Sequence, residues 1–228
     1  MPPESGQSSP AAELARLQSA AAQLGLEPSP EQYRAWLGHL DLVAKWNRVY
    51  NLTAIRDRQE MLSQHLVDCL AVLRPLQRHL EQLPALASPP RVLDVGSGAG
   101  FPGVVIAIGL PAASVCCVDT VGKKASFLTQ VAAELGLSHL RGLHARVEEL
   151  APQQAQVITS RAFASLADFV ALTRRHLADN GVWLAMKGRR PDDEVAALPG
   201  DIEVFHVEPL QVPGLDAQRC LVWMRPRP

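Results

Sequence analysis

Short apolar segments alternate with amphipathic ones over residues 91–187, and this alternation is the clearest structural signal in the sequence. The predicted strands are the apolar segments 91–95, 114–119, 140–145, 157–160 and 182–187, followed by 202–207 and 220–224. A helical period fits 102–108, 123–135 and 166–177 between them. Strands that are apolar throughout and separated by helices predict an α/β fold, with a mostly parallel seven-stranded sheet covered by helices on both faces.

The first 90 residues follow a helical pattern instead. Residues 1–10 are rich in Pro, Ser and Gly and are expected to be a disordered tail. Ser29, Pro30 and Gln32 have the spacing of a capping box that opens a long amphipathic helix, and a further helix fits Arg58–Leu73. We therefore predict a helical unit over residues 11–90, packed on a domain of residues 91–228.

Composition narrows the class of protein. The formal net charge of the 228 residues is −1, so a nucleic-acid partner is not indicated by overall charge and would need a local basic patch. The four cysteines form no C-x-x-C pair, so we predict no metal site. The first residues lack a secretory signal, and no apolar segment is long enough to span a bilayer. We expect a cytoplasmic protein with reduced thiols and no membrane contact.

The stretch "VLDVGSGAGFPG" contains the strongest candidate binding site. Gly96, Gly98 and Gly100 follow the first predicted strand, where glycine lets the backbone approach a ligand. A dinucleotide fingerprint would place its third glycine at position 101, which is Phe101. Asp94 lies two residues before the first glycine, where a carboxylate disfavours a pyrophosphate and favours a ligand with positive charge.

A second acidic residue, Asp119, ends the second predicted strand and is placed to accept the ribose hydroxyls of an adenosine. An adenosine without phosphates and with cationic character matches S-adenosylmethionine. In the segment "ARVEEL", Val147 could pack on the adenine and Glu148 could bind its edge, although the segment taken alone favours a short capped helical turn. Two alternatives for the loop remain, namely NAD binding by an oxidoreductase and a tight turn in which Asp119 only caps the following helix.

Several longer stretches resemble the bacterial small-subunit ribosomal RNA guanine-N7 methyltransferases, the RsmG or GidB family. They include "WNRVYNLTAIRD", "HLVDCLAVL", "VDTVGKKASFL", "ITSRAFASL" and "LQVPGLDAQRCLV", in family order between Trp46 and Val222. The resemblance implies a class I, Rossmann-like methyltransferase with S-adenosylmethionine as donor. It also implies a guanine of 16S rRNA in the small (30S) ribosomal subunit as the target.

The resemblance also implies residue roles. The family's donor-binding positions fall on Gly96, Phe101, Val147, Glu148 and Arg161, with Asp119 and Thr120 on the ribose side. Guanine N7 carries a lone pair and no proton, so methyl transfer can proceed in line, without a base or a covalent intermediate. In agreement, the fourth strand is followed by no cysteine nucleophile, and no D/N-P-P-Y/F motif is present.

Substrate contacts are predicted from charge and ring chemistry. Arg161 could hydrogen-bond guanine O6 or a phosphate, or could form a salt bridge with Glu148 or Asp94 that organises the pocket. Phe163 could stack on the base or belong to the core, and Lys187 could meet a phosphate or lie solvated at a turn. The candidate basic RNA contacts are Lys123, Lys124 and Arg146.

His65 and Asp68 lie one helical turn apart and are expected to join the helical unit to the donor domain or to border the substrate cleft, rather than to bind a metal. No heptad pattern calls for a partner subunit, so a monomer is expected. Two further functions remain open at this point, a non-catalytic ribosome-assembly factor with a methyltransferase fold and a methyltransferase for a small molecule or protein.

Overall fold

The computed structural model describes residues 9–227, and its centre is one seven-stranded sheet. The strands are β1 (Arg91–Val95), β2 (Ser114–Asp119), β3 (Leu140–His144), β4 (Ala155–Arg161), β5 (Leu177–Lys187), β6 (Ile202–Leu210) and β7 (Arg219–Pro226). Their order across the sheet is β3-β2-β1-β4-β5-β7-β6. β1 to β5 pair in parallel, whereas β7 runs antiparallel to both β5 and β6. The mostly parallel sheet predicted from the apolar segments is confirmed.

Helices cover both faces of the sheet and precede it in the chain. They are α1 (Pro10–Gln23), α2 (Pro30–Tyr50), α3 (Arg58–Met61), α4 (Asp68–Leu70), α5 (Leu73–Glu81), α6 (Gly103–Gly109), α7 (Gly122–Glu134), α8 (Leu166–Thr173) and α9 (Asp192–Ala196). A π-helical segment, Leu62–Val67, joins α3 to α4. Short π-helical insertions are frequent at functional sites, and this one faces the glycine loop.

Residues 1–8 of the predicted tail lie outside the described residues. Ser9 and Pro10, which the tail prediction included, instead open α1. The Ser9 side chain accepts a hydrogen bond from the Ala12 N–H, and Pro10 occupies the first turn, where its missing N–H is not needed. The capping box predicted at the start of α2 is confirmed, because Ser29 and Gln32 exchange side chain to backbone hydrogen bonds.

The helical unit is packed on the sheet domain through a continuous apolar core. Trp36 and Leu40 from α2 belong to the same buried cluster as Val104 and Val105 from α6. The indole of Trp36 donates to the Val105 carbonyl at 3.3 Å. The extension therefore forms one wall around the glycine loop. No helix among residues 9–227 is long and apolar enough to cross a membrane.

Candidate functional site

The glycine loop joins β1 to α6 and is supported from below by Asp94. Gly96, Gly98 and Gly100 all have positive φ values, between 56° and 88°, which explains why glycine occupies these positions. The buried Asp94 carboxylate accepts a hydrogen bond from the Gly103 N–H at 3.0 Å and so fixes the start of α6. A side chain at Gly96 would meet no atom within 4 Å, so the outer edge of the loop is open.

Asp94 also brings a buried carboxyl group to the base of the glycine loop. Burial raises the pKa of its carboxyl to about 6. Its Oδ1 atom is buried and has no hydrogen-bond partner among the described residues. A cation bound above the loop would favour the ionised carboxylate, whereas an anion would disfavour it.

Asp119 supports the same loop from the end of β2. Its Oδ2 accepts from the Gly98 N–H at 2.9 Å and its Oδ1 accepts from the Val121 N–H at 2.8 Å. Each carboxylate oxygen can accept a second hydrogen bond, so these contacts leave room for a hydroxyl ligand. The neighbouring Thr120 is exposed at this end of the loop.

Phe101, which replaces the third glycine of a dinucleotide fingerprint, packs against two histidines of the helical unit. The ring of His39 is 4.7 Å from that of Phe101, and the ring of His65 is 4.9 Å from it. His39 also donates from Nε2 to the Ala99 carbonyl, at 2.8 Å. The helical unit therefore holds the loop through both stacking and a hydrogen bond.

Arg161, at the end of β4, turns its guanidinium toward the π-helical segment. It donates to the Gln64 carbonyl at 3.0 Å and to His65 Nδ1 at 3.2 Å, and it lies over the Phe101 ring. Its ion pair is with Asp68, at 3.4 Å. The predicted salt bridge to Glu148 or Asp94 was therefore wrong in its partner.

Arg161 pairs with Asp68 because the helical unit packs against the end of β4. The helical unit brings Asp68 to the end of β4, whereas Glu148 is paired with Arg146 at 3.0 Å and Asp94 is enclosed beneath the loop. Asp68 is 3% exposed and also accepts from Arg219 Nε at 2.8 Å. This one carboxylate therefore binds two arginines, and the three side chains together carry net positive charge. The prediction that His65 and Asp68 join the unit to the donor domain is confirmed.

A cavity of about 510 Å³ opens where these elements meet. One wall is the glycine loop, a second comes from the helical unit, and a third comes from the ends of β4, β5 and β7. The predicted site residues that line it are Gly96, Gly98, Phe101, Arg161 and Lys187. They are joined by residues of the helical unit and of β7, chiefly Thr53, Gln64, His65, Asp68 and Arg219.

A larger groove, of about 630 Å³, lies elsewhere, between the start of α2 and the amino ends of β1 and β2. Pro90 and Ala113 line it, which places it at the opposite edge of the sheet from the glycine loop. Ligands of open α/β sheets bind at the carboxyl ends of the strands, so the smaller cavity is the candidate site.

Other predicted site residues lie outside the lining of this cavity. Val147 is buried in the second apolar cluster, and Arg146 is exposed. Phe163 is half-buried, with its ring 5.3 Å from that of Phe169, as the core alternative expected. Lys123 and Lys124 lie in the first turn of α7, and Gly100, the third glycine of the loop, is buried. Lys187 lines the cavity but is paired with Glu194 at 2.7 Å.

Gln64 and Arg219 are among the lining residues that the sequence did not reveal. Gln64 acts through its carbonyl, which no side-chain motif reveals. Arg219 precedes the last predicted strand, and the direction of that strand decides at which edge of the sheet Arg219 lies. Because β7 is antiparallel, its first residue lies at the same edge as the carboxyl ends of β4 and β5.

The chain is closely similar to proteins of one family. The GidB family, described as rRNA small subunit methyltransferase G, matches residues 32–222. The ribosomal RNA small subunit methyltransferase G of Methylibium petroleiphilum is 60% identical over 208 residues, which cover 91% of this chain and 92% of that protein. The protein of the same name from Acidovorax sp. JS42 is 57% identical over 213 residues, with coverage of 92% and 94%.

Solved structures agree on the fold. A SAM-dependent methyltransferase from Leishmania major is 16% identical, with a TM-score of 0.56 and coverage of 84% of this chain and 83% of that one. A SAM-dependent methyltransferase from Aquifex aeolicus is 17% identical, with a TM-score of 0.52 and coverage of 72% and 92%. Both confirm the Rossmann-like methyltransferase fold. By its matched length and its close relatives, the chain belongs to the rRNA small subunit methyltransferase G family.

Proposed function

We propose that this protein transfers a methyl group from S-adenosylmethionine to N7 of one guanine in the 16S rRNA of the small ribosomal subunit. The observation that carries the proposal is the cavity between the glycine loop and the helical unit, in a chain that belongs to this family. A ribosomal substrate would place the reaction in the cytoplasm, and we propose that the protein acts there as a monomer.

The chemistry of the glycine loop fits this donor. Two carboxylates, Asp94 and Asp119, support the loop from below, which suits a ligand with a sulfonium and an ammonium and disfavours a pyrophosphate. The open edge at Gly96 leaves room for close approach. We assign the methionine end of the donor to Gly96, Gly98 and Phe101. The adenosine end is assigned to Asp119, Thr120, Val147 and Glu148.

The reaction requires positioning rather than proton removal. When bound, the donor supplies a methyl carbon to the N7 lone pair, while the electron pair of the broken carbon–sulfur bond returns to sulfur. Guanine N7 has no proton to lose, so no residue must act as a base. Burial and the charge of Arg161 lower the pKa of His65 to about 4, which keeps this ring neutral at the cavity wall.

Orientation of two reactants in one site can lower a barrier by about 7–11 kcal/mol in favourable cases. The Arg161, Asp68 and Arg219 cluster provides this rigidity on the substrate side, and its net positive charge suits an RNA backbone. Lys123, Lys124 and Arg146 lie outside the cavity, where they would contact flanking phosphates.

The test uses donor with an isotopically heavy methyl group and small subunits from cells that lack the enzyme. After the reaction, the rRNA is digested to nucleosides and analysed by mass spectrometry. We expect label in 7-methylguanosine, at about one methyl group per subunit. Arg161→Ala should lose most of this label, whereas the control Arg225→Ala, which removes an exposed ion pair with Glu203, should retain it.

Other outcomes would contradict the proposal. Label in a different nucleoside would make the target base wrong. Bound donor without any label in rRNA would favour a non-catalytic assembly factor or a methyltransferase for a different substrate. Binding of NADH in place of S-adenosylmethionine would favour an oxidoreductase.

A further inference from the structure

Three side chains form a line of hydrogen bonds along the cavity wall, from Arg161 through His65 to Thr53. The guanidinium of Arg161 lies 3.2 Å from His65 Nδ1, and His65 Nε2 lies 2.7 Å from Thr53 Oγ1. Thr53 and His65 belong to the helical unit, while Arg161 ends β4. All three line the cavity.

The direction of each hydrogen bond follows from Arg161. A guanidinium has only donors, so the nitrogen of His65 that faces it must present a lone pair. The Gln64 carbonyl also lies 3.2 Å from this Nδ1, but it already accepts from Arg161 at 3.0 Å, so the charged donor sets the tautomer. The ring is neutral because burial and the neighbouring Arg161 lower its pKa to about 4. Its single proton is therefore on Nε2, and His65 donates to Thr53 Oγ1.

This arrangement fixes the role of the Thr53 hydroxyl. Its oxygen also accepts from the Ile55 N–H at 3.2 Å, so both of its lone pairs are used. Within the described part of the chain, no group accepts a hydrogen bond from the hydroxyl proton. Thr53 therefore offers the cavity a donor and no acceptor.

Guanine and adenine differ at the atom to which the Thr53 hydroxyl could donate a hydrogen bond. Next to N7, guanine presents the O6 acceptor, whereas adenine presents the N6 amino donor. The N7 lone pair must stay free for the incoming methyl group, which leaves O6 as the acceptor for the enzyme. A hydroxyl free to rotate could serve both bases, but one whose lone pairs are occupied can serve guanine alone.

We propose that the hydroxyl of Thr53 donates a hydrogen bond to O6 of the target guanine and selects guanine over adenine. This inference rests on the proposed function and deepens it. Arg161 and His65 are positioning residues that act through Thr53, because both terminal nitrogens of Arg161 are directed to the helical unit.

The test compares three variants on small subunits reassembled with guanine, adenine or 2-aminopurine at the target position. Thr53→Val removes the hydroxyl at nearly constant volume, and Thr53→Ser retains it. The matched control is Thr129→Val, whose hydroxyl bonds only within α7. The readouts are kcat/KM for methylation, the dissociation constant of S-adenosylmethionine and the melting temperature.

We expect Thr53→Val to lower kcat/KM on guanine by about tenfold or more, with little change on adenine and unchanged donor affinity. Thr53→Ser and Thr129→Val should stay within about threefold of the unmodified protein. 2-Aminopurine keeps N7 but lacks O6, so it should reduce the rate of the unmodified protein and cause no further loss in Thr53→Val.

The inference is overturned if Thr53→Val methylates guanine as well as the unmodified protein, or if Thr53→Ser fails to the same extent. It is also overturned if 2-aminopurine lowers the rate of the unmodified protein and that of Thr53→Val by the same factor. The loss of the Thr53 hydroxyl and the loss of O6 would then be independent of each other. If valine is not accommodated at position 53, Thr53→Ala replaces it in the same comparison. If the unmodified protein labels no guanine, the proposed function itself has failed.

Discussion

The Nε2 atom of His39 lies 2.8 Å from the carbonyl oxygen of Ala99, so a side chain from the middle of α2 is bonded directly to the glycine loop. The two residues are 60 positions apart in the sequence. The ring of His39 also packs on Phe101 in the same loop. The helical unit is thus part of the wall that shapes the proposed donor site.

Replacing His39 should therefore weaken donor binding from a distance. We expect His39→Ala to lower the free energy of unfolding by about 2–4 kcal/mol, because it opens a cavity and leaves the Ala99 carbonyl unpaired. The affinity for S-adenosylmethionine should fall as well, which calorimetric titration would measure. His206→Ala, at an exposed position of β6, serves as the control and should leave both quantities unchanged. Unchanged donor affinity in His39→Ala would show that α2 does not hold the loop.

The buried His39 and the half-buried His65 should make the fold sensitive to acid. Burial lowers the pKa of His39 and of His65 to about 4 from the ordinary 6.5, so the unfolded chain binds more protons than the folded one between these pH values. Stability is therefore lost as the pH falls from 6.5 toward 4. Asp94, whose pKa is raised to about 6 by burial, acts in the opposite direction and offsets one of the two histidines.

From these three groups together, the expected loss of unfolding free energy is about 1 kcal/mol per pH unit between pH 6 and 5, measured by urea unfolding at several pH values. Burial also lowers the pKa of His79 and of His176, which acts in the same direction as His39. His39→Gln keeps a donor for Ala99 and cannot be protonated, so its pH dependence should be shallower. Identical slopes in the two proteins would mean that His39 does not resist protonation in the fold.

Gly103 should tolerate no side chain. A Cβ at this position would lie 2.3 Å from Cys117 Sγ and 2.6 Å from Asp94 Oδ2, and both are buried. Gly103→Ala should lower the unfolding free energy by about 1–3 kcal/mol, since a packed core resists an added methyl group. Gly200→Ala, where a Cβ meets no atom within 4 Å, should be close to neutral by comparison. The test is to measure the melting temperatures of both variants, and equal values would contradict the prediction.

Replacing Asp119 should lower both the stability of the fold and the affinity for the donor. Asp119→Asn places an amide donor against one of the two N–H groups, of Gly98 or of Val121, which now bind the carboxylate. The loss of one buried hydrogen bond should cost about 1–3 kcal/mol of stability and should weaken donor binding. The exposed Asp179→Asn is the matched control. Full donor affinity in Asp119→Asn would exclude the proposed ribose contact.

The sequence predicted the parts of the site that depend on local pattern. The ends of β1 and β2 place Asp94 and Asp119 beside the loop because parallel strands expose their carboxyl ends at one edge. The glycines at positions 96, 98 and 100 are required by positive φ values. Both features follow from residues close together in the chain, and both agree with the structure.

The contacts of Arg161 could not be predicted in the same way. Its partners Gln64 and Asp68 precede it by 97 and 93 residues and reach it only through the docking of the helical unit. The sequence left Glu148 and Asp94 as possible partners, but Glu148 forms a local ion pair with Arg146 and Asp94 is enclosed at the base of the glycine loop. The position of Arg219 at the cavity could not be predicted either, because it follows from the antiparallel direction of β7, which an apolar segment does not reveal.

The placement of β7 also has a consequence for the order in which the molecule is made. β7 is the last of the seven strands in the chain, yet it lies between β5 and β6 in the sheet. Its first residue, Arg219, binds Asp68, a residue synthesised about 150 positions earlier. A nascent chain that has not yet released β7 therefore has an open sheet and an incomplete cavity wall. The site is therefore finished only after β7 has been synthesised and inserted between β5 and β6.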